Sequence, residues 1–207
     1  MRTHVRLVIN RMHLQTSSVV QSSLRRLKTL VIFQMGKRSD FERKPRDFYP
    51  TPFAAVEPLV PHLPDKGLFA EPCAGDGRLI RHIEQLTGML GYWMTDIEPM
   101  ADFVGDGDAT TDKIVGCDVV ITNPPWNRKI LHPIIENLSD QLPTWLLFDA
   151  DWIHTKQSVP YLARLKKVVS IGRVKWIEDS KGTGKDNCCW YLFDKPSDTP
   201  TQFYGRT

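Results

Sequence analysis

The sequence predicts an α/β fold with a mostly parallel central sheet, helices on both faces and a C-terminal β-hairpin, and three observations carry that expectation. Short apolar runs alternate with stretches of helical periodicity along most of the chain. Several of those runs end in an acidic residue or a glycine-bearing loop, as strands do when they deliver the chain to a ligand crevice at their C-terminal ends. The run Trp145-Leu146-Leu147-Phe148 is continuously apolar, which suits a strand covered on both faces.

The chain has 207 residues, 41% of them hydrophobic and 25% charged, enough for one sizeable core. No apolar run approaches the roughly 18 residues that a membrane-spanning helix needs. Four cysteines, with Cys188 and Cys189 adjacent, form neither a Cys-x-x-Cys pair nor a secreted disulfide framework. They point to a reduced, cytoplasmic setting and away from zinc.

The net charge of +3 is unevenly placed. No Asp or Glu precedes Asp40, whereas Arg2, Arg6, Arg11, Arg25, Arg26, Lys28, Lys37 and Arg38 all fall there. With those eight set aside, 19 of the 27 basic residues face 24 acidic ones, so the body of the chain is acidic. Its overall basicity therefore does not argue for a nucleic-acid-binding body. The basic stretch 1–39 has three readings: a DNA-gripping arm, an organelle transit peptide, or a leader outside the working domain. The last is the expectation, because Met35-Gly36-Lys37-Arg38-Ser39 reads as a natural start, and the working domain is then 40–207.

The first element opens at Tyr49-Pro50-Thr51-Pro52, with Thr51 expected as helix N-cap and Pro52 at the first helical position. Next, an apolar strand runs into Glu71-Pro72-Cys73-Ala74-Gly75-Asp76-Gly77 and a helix bearing Leu79, Ile80, Ile83 and Leu86 on one face. Gly75 and Gly77 let backbone approach a ligand closely, and the helix N-terminus offers N–H groups to a carboxylate. The spacing fits neither the dinucleotide fingerprint nor a P-loop. The strand Gly91–Thr95 ends in Asp96-Ile97-Glu98, where an acid can accept both hydroxyls of a ribose. Asp96 is the choice and Glu98 its rival. The segment Phe103–Ala109 carries Asp106 and Asp108, with Asp112 close behind, and lacks the ligand spacing of an EF-hand.

The run Cys117–Thr122 reads as a buried strand that delivers Asn123-Pro124-Pro125-Trp126 to a sheet edge. Two consecutive prolines stiffen the turn and fix its carbonyl directions. The Asn123 side-chain oxygen and the Pro124 carbonyl can each accept one N–H of a planar group bearing an NH2, and Trp126 can lie against its ring. A proline-stiffened turn with a core-capping tryptophan is the alternative. A helix with Leu131, Ile134, Ile135 and Leu138 follows, with Pro133 expected in its first turn, and then the strand ending at Asp149. Tyr161, Leu162 and Leu165 suggest a further helix, and Val168–Ile171 a strand. Arg173–Ile177 and Asn187–Phe193 are expected to pair as a hairpin around a polar loop. Arg173, Lys175, Lys181 and Lys185 near that loop can meet phosphates and Trp176 can stack on a base, with a solvated hairpin and ordinary core aromatics as the alternative.

Asn-Pro-Pro followed by an aromatic resembles the catalytic signature of methyltransferases that modify exocyclic amino groups, chiefly adenine N6 in DNA. The Glu71–Gly77 stretch is similar to the Asp/Glu-Pro-x-x-Gly-x-Gly loop of class I methyltransferases. From Phe48 to Phe193 the arrangement resembles the small phage and prophage DNA adenine-N6 methyltransferases. That resemblance implies a Rossmann-like class I fold, S-adenosylmethionine as cofactor, DNA as partner, no metal, and a bacterial or phage-encoded cytoplasmic protein. It implies that Tyr49 and Thr51 touch the methionine end of the cofactor, and that Glu71, Cys73, Gly75 and Gly77 form its loop. Asp96 and Ile97 would meet its ribose, and Asp108 with Ala109 its adenine. Asn123, Pro124, Pro125 and Trp126 would be catalytic, and Trp126, Trp176, Lys181 and Lys185 would contact the substrate. The same tetrapeptide also serves enzymes acting on cytosine N4, on guanine N2 in ribosomal RNA or on a glutamine side chain. Those targets, and a non-catalytic nucleic-acid-binding domain, stay open, as does the oligomeric state.

Overall fold

Alternation at period two builds the sheet. In β1 (Lys66–Glu71), Phe69 enters one core and Ala70 the other, and β4 (Val119–Thr122) and β5 (Thr144–Asp149) repeat the pattern. Val119, Ile121, Trp145 and Leu147 face one way, Val120, Leu146 and Phe148 the other. A sheet apolar on both sides must be covered on both. Helix α1 (Phe53–Val56) and α2 (Arg78–Leu86) cover the first face with Val56, Leu79, Ile80 and Ile83. Helix α3 (Arg128–Ser139) covers the second with Leu131, Ile134, Ile135 and Leu138. The computed structural model describes residues 49–177 and 182–206; the expectations for the leader 1–39 and for Lys181 lie outside the described residues.

The remaining strands are β2 (Gly88–Asp96), β3 (Gly105–Asp106), β6 (Leu165–Arg173), β7 (Asn187–Phe193) and β8 (Gln202–Tyr204). They join one eight-stranded sheet in the order β3-β2-β1-β4-β5-β7-β6-β8. All pairings are parallel except those of β7, which runs antiparallel to β5 and β6. Strand order reverses between β1 and β4, so the connections leaving their C-terminal ends diverge and open a crevice.

Several local expectations change. Thr51 is not the helix cap: α1 starts after Pro52 with no side-chain cap bond and passes after one turn into a 3-10 stretch, Glu57–His62, that contains Pro58 and Pro61. Pro133 sits in the sixth position of α3 rather than its first turn, because the Asn127 side chain caps the Lys129 N–H at 3.1 Å and starts the helix earlier. Pro133 is exposed, so the carbonyl that its missing N–H frees can be met by water. Tyr161–Leu165 is not an α-helix; Val159–Arg164 is 3-10 and leads directly into β6. The hairpin exists, but its first strand is Leu165–Arg173; Val174–Ile177 lies beyond the strand. The edge strand β8 was not anticipated from the sequence. Among the described residues no helix is long and apolar enough to cross a membrane.

Candidate active site

A cavity of about 950 Å³ opens where β1, β2 and β4 end. Ten of the residues singled out from the sequence line it together: Tyr49, Thr51, Glu71, Cys73, Asp96, Ile97, Asp108, Ala109, Asn123 and Pro125. Pro124 is buried beside it, Lys185 is solvent-exposed, and Gly75, Gly77, Trp126 and Trp176 are not part of the lining. Five carboxylates face the cavity, those of Glu71, Asp76, Asp96, Glu98 and Asp108, and no Lys or Arg does among the described residues. Such a wall favours a cationic ligand and repels a pyrophosphate.

Glu71 is the deepest of these acids, at 2% exposure. It accepts the backbone N–H of Ile80, while its Oε2 is buried with no hydrogen-bond partner. Burial, then the charges of Asp96 and Asp76, hold its carboxyl well above the usual range. Asp96 is pinned at the end of β2: Oδ2 accepts the Gly75 N–H and Oδ1 the Glu98 N–H, each at 2.8 Å. A carboxylate oxygen has two lone pairs, so one on each remains for a pair of hydroxyls.

Between the two aspartates in the next loop the cavity decides. Asp108 lines it, whereas Asp106 is exposed on β3. Asp108 Oδ1 takes both the N–H and the hydroxyl of Thr110, at 2.9 and 2.7 Å, which orients its other oxygen. The loop is held by groups that sequence reasoning passed over. Asp112 accepts from Thr95 Oγ1 and from the Asp108 N–H; Asn137 donates to the Ala109 and Asp112 carbonyls, and Gln141 also to Asp112. The sequence signal was Asn137 on the polar side of α3 and Gln141 in the turn just past its end.

The glycine loop works differently from expectation. Gly75 and Gly77 have φ of 51° and 70°, in the left-handed region. A Cβ on Gly77 would lie 2.2 Å from the Phe103 ring, so at Gly77 it is a side chain, not a ligand, that claims the space. The N-terminus of α2 is partly spent within the chain: the Arg78 N–H binds Asp76 Oδ1 at 3.0 Å, and the Ile80 N–H binds Glu71. Burial, and then the charge of Asp96, push the Cys73 thiol far above its ordinary value, so it is a neutral wall.

The diproline corner forms the opposite wall. Asn123 Nδ2 donates to the Tyr49 carbonyl at 3.2 Å and to Thr51 Oγ1 at 3.1 Å. Trp126 Nε1 donates to the Leu147 carbonyl at 3.2 Å and faces Asn123 Oδ1 at 3.4 Å. The Trp126 ring is partly buried against both cores and meets Trp176 edge-on at 5.7 Å, and Trp176 in turn meets Tyr49 at 6.4 Å. Trp126 and Trp176 thus pack edge to face next to Tyr49, each partly buried. Two links, one buried and one partly exposed, hold the elements around the corner to the sheet. Trp190 on β7 donates to the Ala55 carbonyl at 2.7 Å, which seats α1, and Arg128 at the start of α3 pairs with Asp149 at the end of β5 at 2.6 Å.

No family model matches the sequence, and no curated protein does either. Among solved structures the chain is similar to a candidate RNA methyltransferase from Pyrococcus horikoshii, at 13% identity and TM-score 0.49 over 84% of this chain and 100% of that one. It is also similar to a candidate class I S-adenosylmethionine-dependent methyltransferase from Listeria monocytogenes, at 9% identity and TM-score 0.49 over 87% and 71%. A third similarity is to the M protein of the type I restriction enzyme EcoKI, at 13% and TM-score 0.45 over 75% and 47%. These likenesses are of chain trace alone. The strand order itself, β3-β2-β1-β4-β5-β7-β6 with β7 antiparallel, makes this the Rossmann-like class I methyltransferase fold anticipated from the sequence.

Proposed function

We propose that the protein is an S-adenosylmethionine-dependent methyltransferase acting on the N6 amino group of adenine in DNA. The observation that carries this reading is that the acid-lined pocket and the Asn-Pro-Pro corner are walls of one cavity. The residues fit the cofactor chemically. The orphaned, buried Glu71 Oε2 suits an ammonium group, the paired oxygens of Asp96 suit two hydroxyls, and the excess of carboxylates suits a molecule bearing two positive charges. When bound, S-adenosylmethionine supplies an electrophilic methyl carbon.

The chain has to make a poor nucleophile attack it. An exocyclic amine has its lone pair delocalised into the ring. Asn123 Oδ1 and the Pro124 carbonyl, by accepting one N–H each, draw the nitrogen towards tetrahedral geometry and localise that pair. Positioning supplies much of the remaining rate, and no strong general base is needed, since the proton becomes acidic only as the new bond forms. In a duplex the base must first leave the stack, which costs a few kcal/mol. The choice of DNA, and of N6, rests on the resemblance of the Asn-Pro-Pro-Trp element and its order in the chain.

The test is methyl transfer from labelled cofactor to adenine-containing duplex DNA, with RNA, protein and cytosine-only DNA as parallel substrates. Label in DNA adenine is expected; label confined to RNA or protein would replace the target, and no label anywhere would remove the reading. Asn123→Ala should abolish transfer while cofactor binding by calorimetry stays within about twofold of wild type. Loss of binding in step with activity would instead place Asn123 in the cofactor pocket.

A further inference from the structure

The Asn123 amide is oriented by groups whose hydrogen-bonding sense is unambiguous. A backbone carbonyl only accepts, and that of Tyr49 lies 3.2 Å from Nδ2; an indole N–H only donates, and that of Trp126 lies 3.4 Å from Oδ1. With the amide flipped, oxygen would face oxygen at one end and N–H would face N–H at the other. The third partner is Thr51 Oγ1, 3.1 Å from Nδ2 and on a residue only 4% exposed, so water is poorly placed to take over its acceptor role. The Thr51 side chain makes no helix-capping bond. Its oxygen is committed to an amide 72 residues away in sequence.

We propose that Thr51 is a positioning residue for methyl transfer: by accepting from Asn123 Nδ2, it holds the amide oxygen on the side where the target amine must arrive. The proposal rests on the reading of Asn123 as the amine acceptor, and it gives Thr51 a task other than contact with the cofactor. A single acceptor at Tyr49 leaves the amide able to swing about its last side-chain torsion, whereas two acceptors on one nitrogen fix the plane. The Trp126 N–H, shared with the nearer Leu147 carbonyl, favours oxygen at that end of the amide and leaves Oδ1 free to accept from the amine. Trp190 and the buried Val56 and Leu59 seat α1 and its continuation, so Thr51 is held on a rigid support.

Three measurements on Thr51→Val, which keeps the shape and removes the acceptor, test this, with Thr51→Ala as a second loss variant and Thr51→Ser as rescue. They are turnover on adenine-containing duplex DNA, cofactor affinity by calorimetry, and solvent exchange of the Asn123 side-chain NH2 by 15N NMR, assigned by its disappearance in Asn123→Ala. Expected for both loss variants are turnover lower by about tenfold to a hundredfold, as misplacement of a positioned group costs, cofactor affinity within twofold, and faster NH2 exchange. Thr51→Ser should restore turnover and slow the NH2 exchange again. Cofactor affinity falling in step with turnover, or unchanged turnover and exchange in both loss variants, overturns the proposal. Failure of the underlying reading looks different: wild-type protein transfers no methyl group to any amine while NH2 protection still depends on Thr51.

Discussion

Glu71 combines a buried, unpartnered carboxyl oxygen with two neighbouring negative charges, and its protonation should be visible in both stability and binding. Because its carboxyl is held well above the ordinary value of 4.5, the folded, unliganded chain keeps a proton that the unfolded chain has released. Stability of the unliganded protein therefore falls as pH rises from the ordinary value through the folded one. Glu71→Gln removes that contribution, so its advantage over wild type should grow with pH in melts between about pH 4 and 8. Parallel melting curves across that range would refute the assignment. A cation beside Glu71 favours the ionised form, so cofactor binding near neutral pH should release protons. Calorimetry in two buffers of different ionisation enthalpy measures that release.

Trp126 shows what a one-letter motif conceals. From the sequence it is an aromatic available for stacking, and a phenylalanine would serve nearly as well. In the structure its N–H satisfies the Leu147 carbonyl and orients Asn123. Trp126→Phe should therefore cost about 1 kcal/mol of stability for the unmet carbonyl and reduce turnover as well. Trp126→Ala should cost more, because the ring packs on both cores. Denaturant melts showing Trp126→Phe equal to wild type would remove the role of the N–H.

The loop between β3 and β4 depends on α3 for its shape. Asn137→Ala removes two donors from the carbonyls of Ala109 and Asp112, so the segment presenting Asp108 should loosen. Cofactor affinity is expected to weaken by roughly tenfold, about 1.4 kcal/mol, with turnover at saturation retained; unchanged affinity would mean that the loop holds itself. The β1–α2 turn makes a sharper demand. Gly77→Ala places a Cβ at positive φ, costing about 1–2 kcal/mol, and drives it into Phe103. Combining it with Phe103→Ala should recover the steric part of the loss and leave the backbone part, a coupling that a double-mutant cycle of melts resolves.

The elements most legible in the sequence were those whose local pattern is strong. The apolar faces of α2 and α3, the strands β1, β4 and β5, and the glycine-bearing turn follow from periodicity and turn chemistry alone. Those that were not legible failed for identifiable reasons. Pro58 and Pro61 break the helix after Thr51 into a 3-10 stretch, and Pro133 is tolerated inside α3 because it faces water. Val174 and Trp176 look like strand residues, but beyond the end of β6 Val174 is buried and Trp176 partly buried against the first core, and the Val174 carbonyl accepts the Gly184 N–H in a turn instead of a strand pair.

Across the whole molecule, the cavity brings together chain segments from Tyr49 to Ile134, so a ligand that fills it should stabilise the fold as a unit. S-adenosylmethionine at a hundred times its dissociation constant should add about 2.7 kcal/mol, seen as a rise in melting temperature. A nicotinamide dinucleotide should add nothing, because five acidic residues and, among the described residues, no Lys or Arg line the cavity where its pyrophosphate would lie. A dinucleotide shift equal to that of the sulfonium cofactor would mean that the acidic wall does not govern selection.

Local sequence determined the kinds of group this protein brings to its site: a glycine turn, acids at strand ends and an amide fixed to a proline corner, each written within a few residues of itself. It did not determine which of those groups meet. That Asp108 and not Asp106 faces the cavity, that Thr51 serves Asn123 and that the Trp126 N–H is already used were decided by the strand order β2-β1-β4 and by the two cores that seat α1 and α3. Periodicity and turn preference are properties of neighbours along the chain, whereas these contacts join residues up to 72 positions apart, and only packing of the whole sheet brings them within hydrogen-bonding reach.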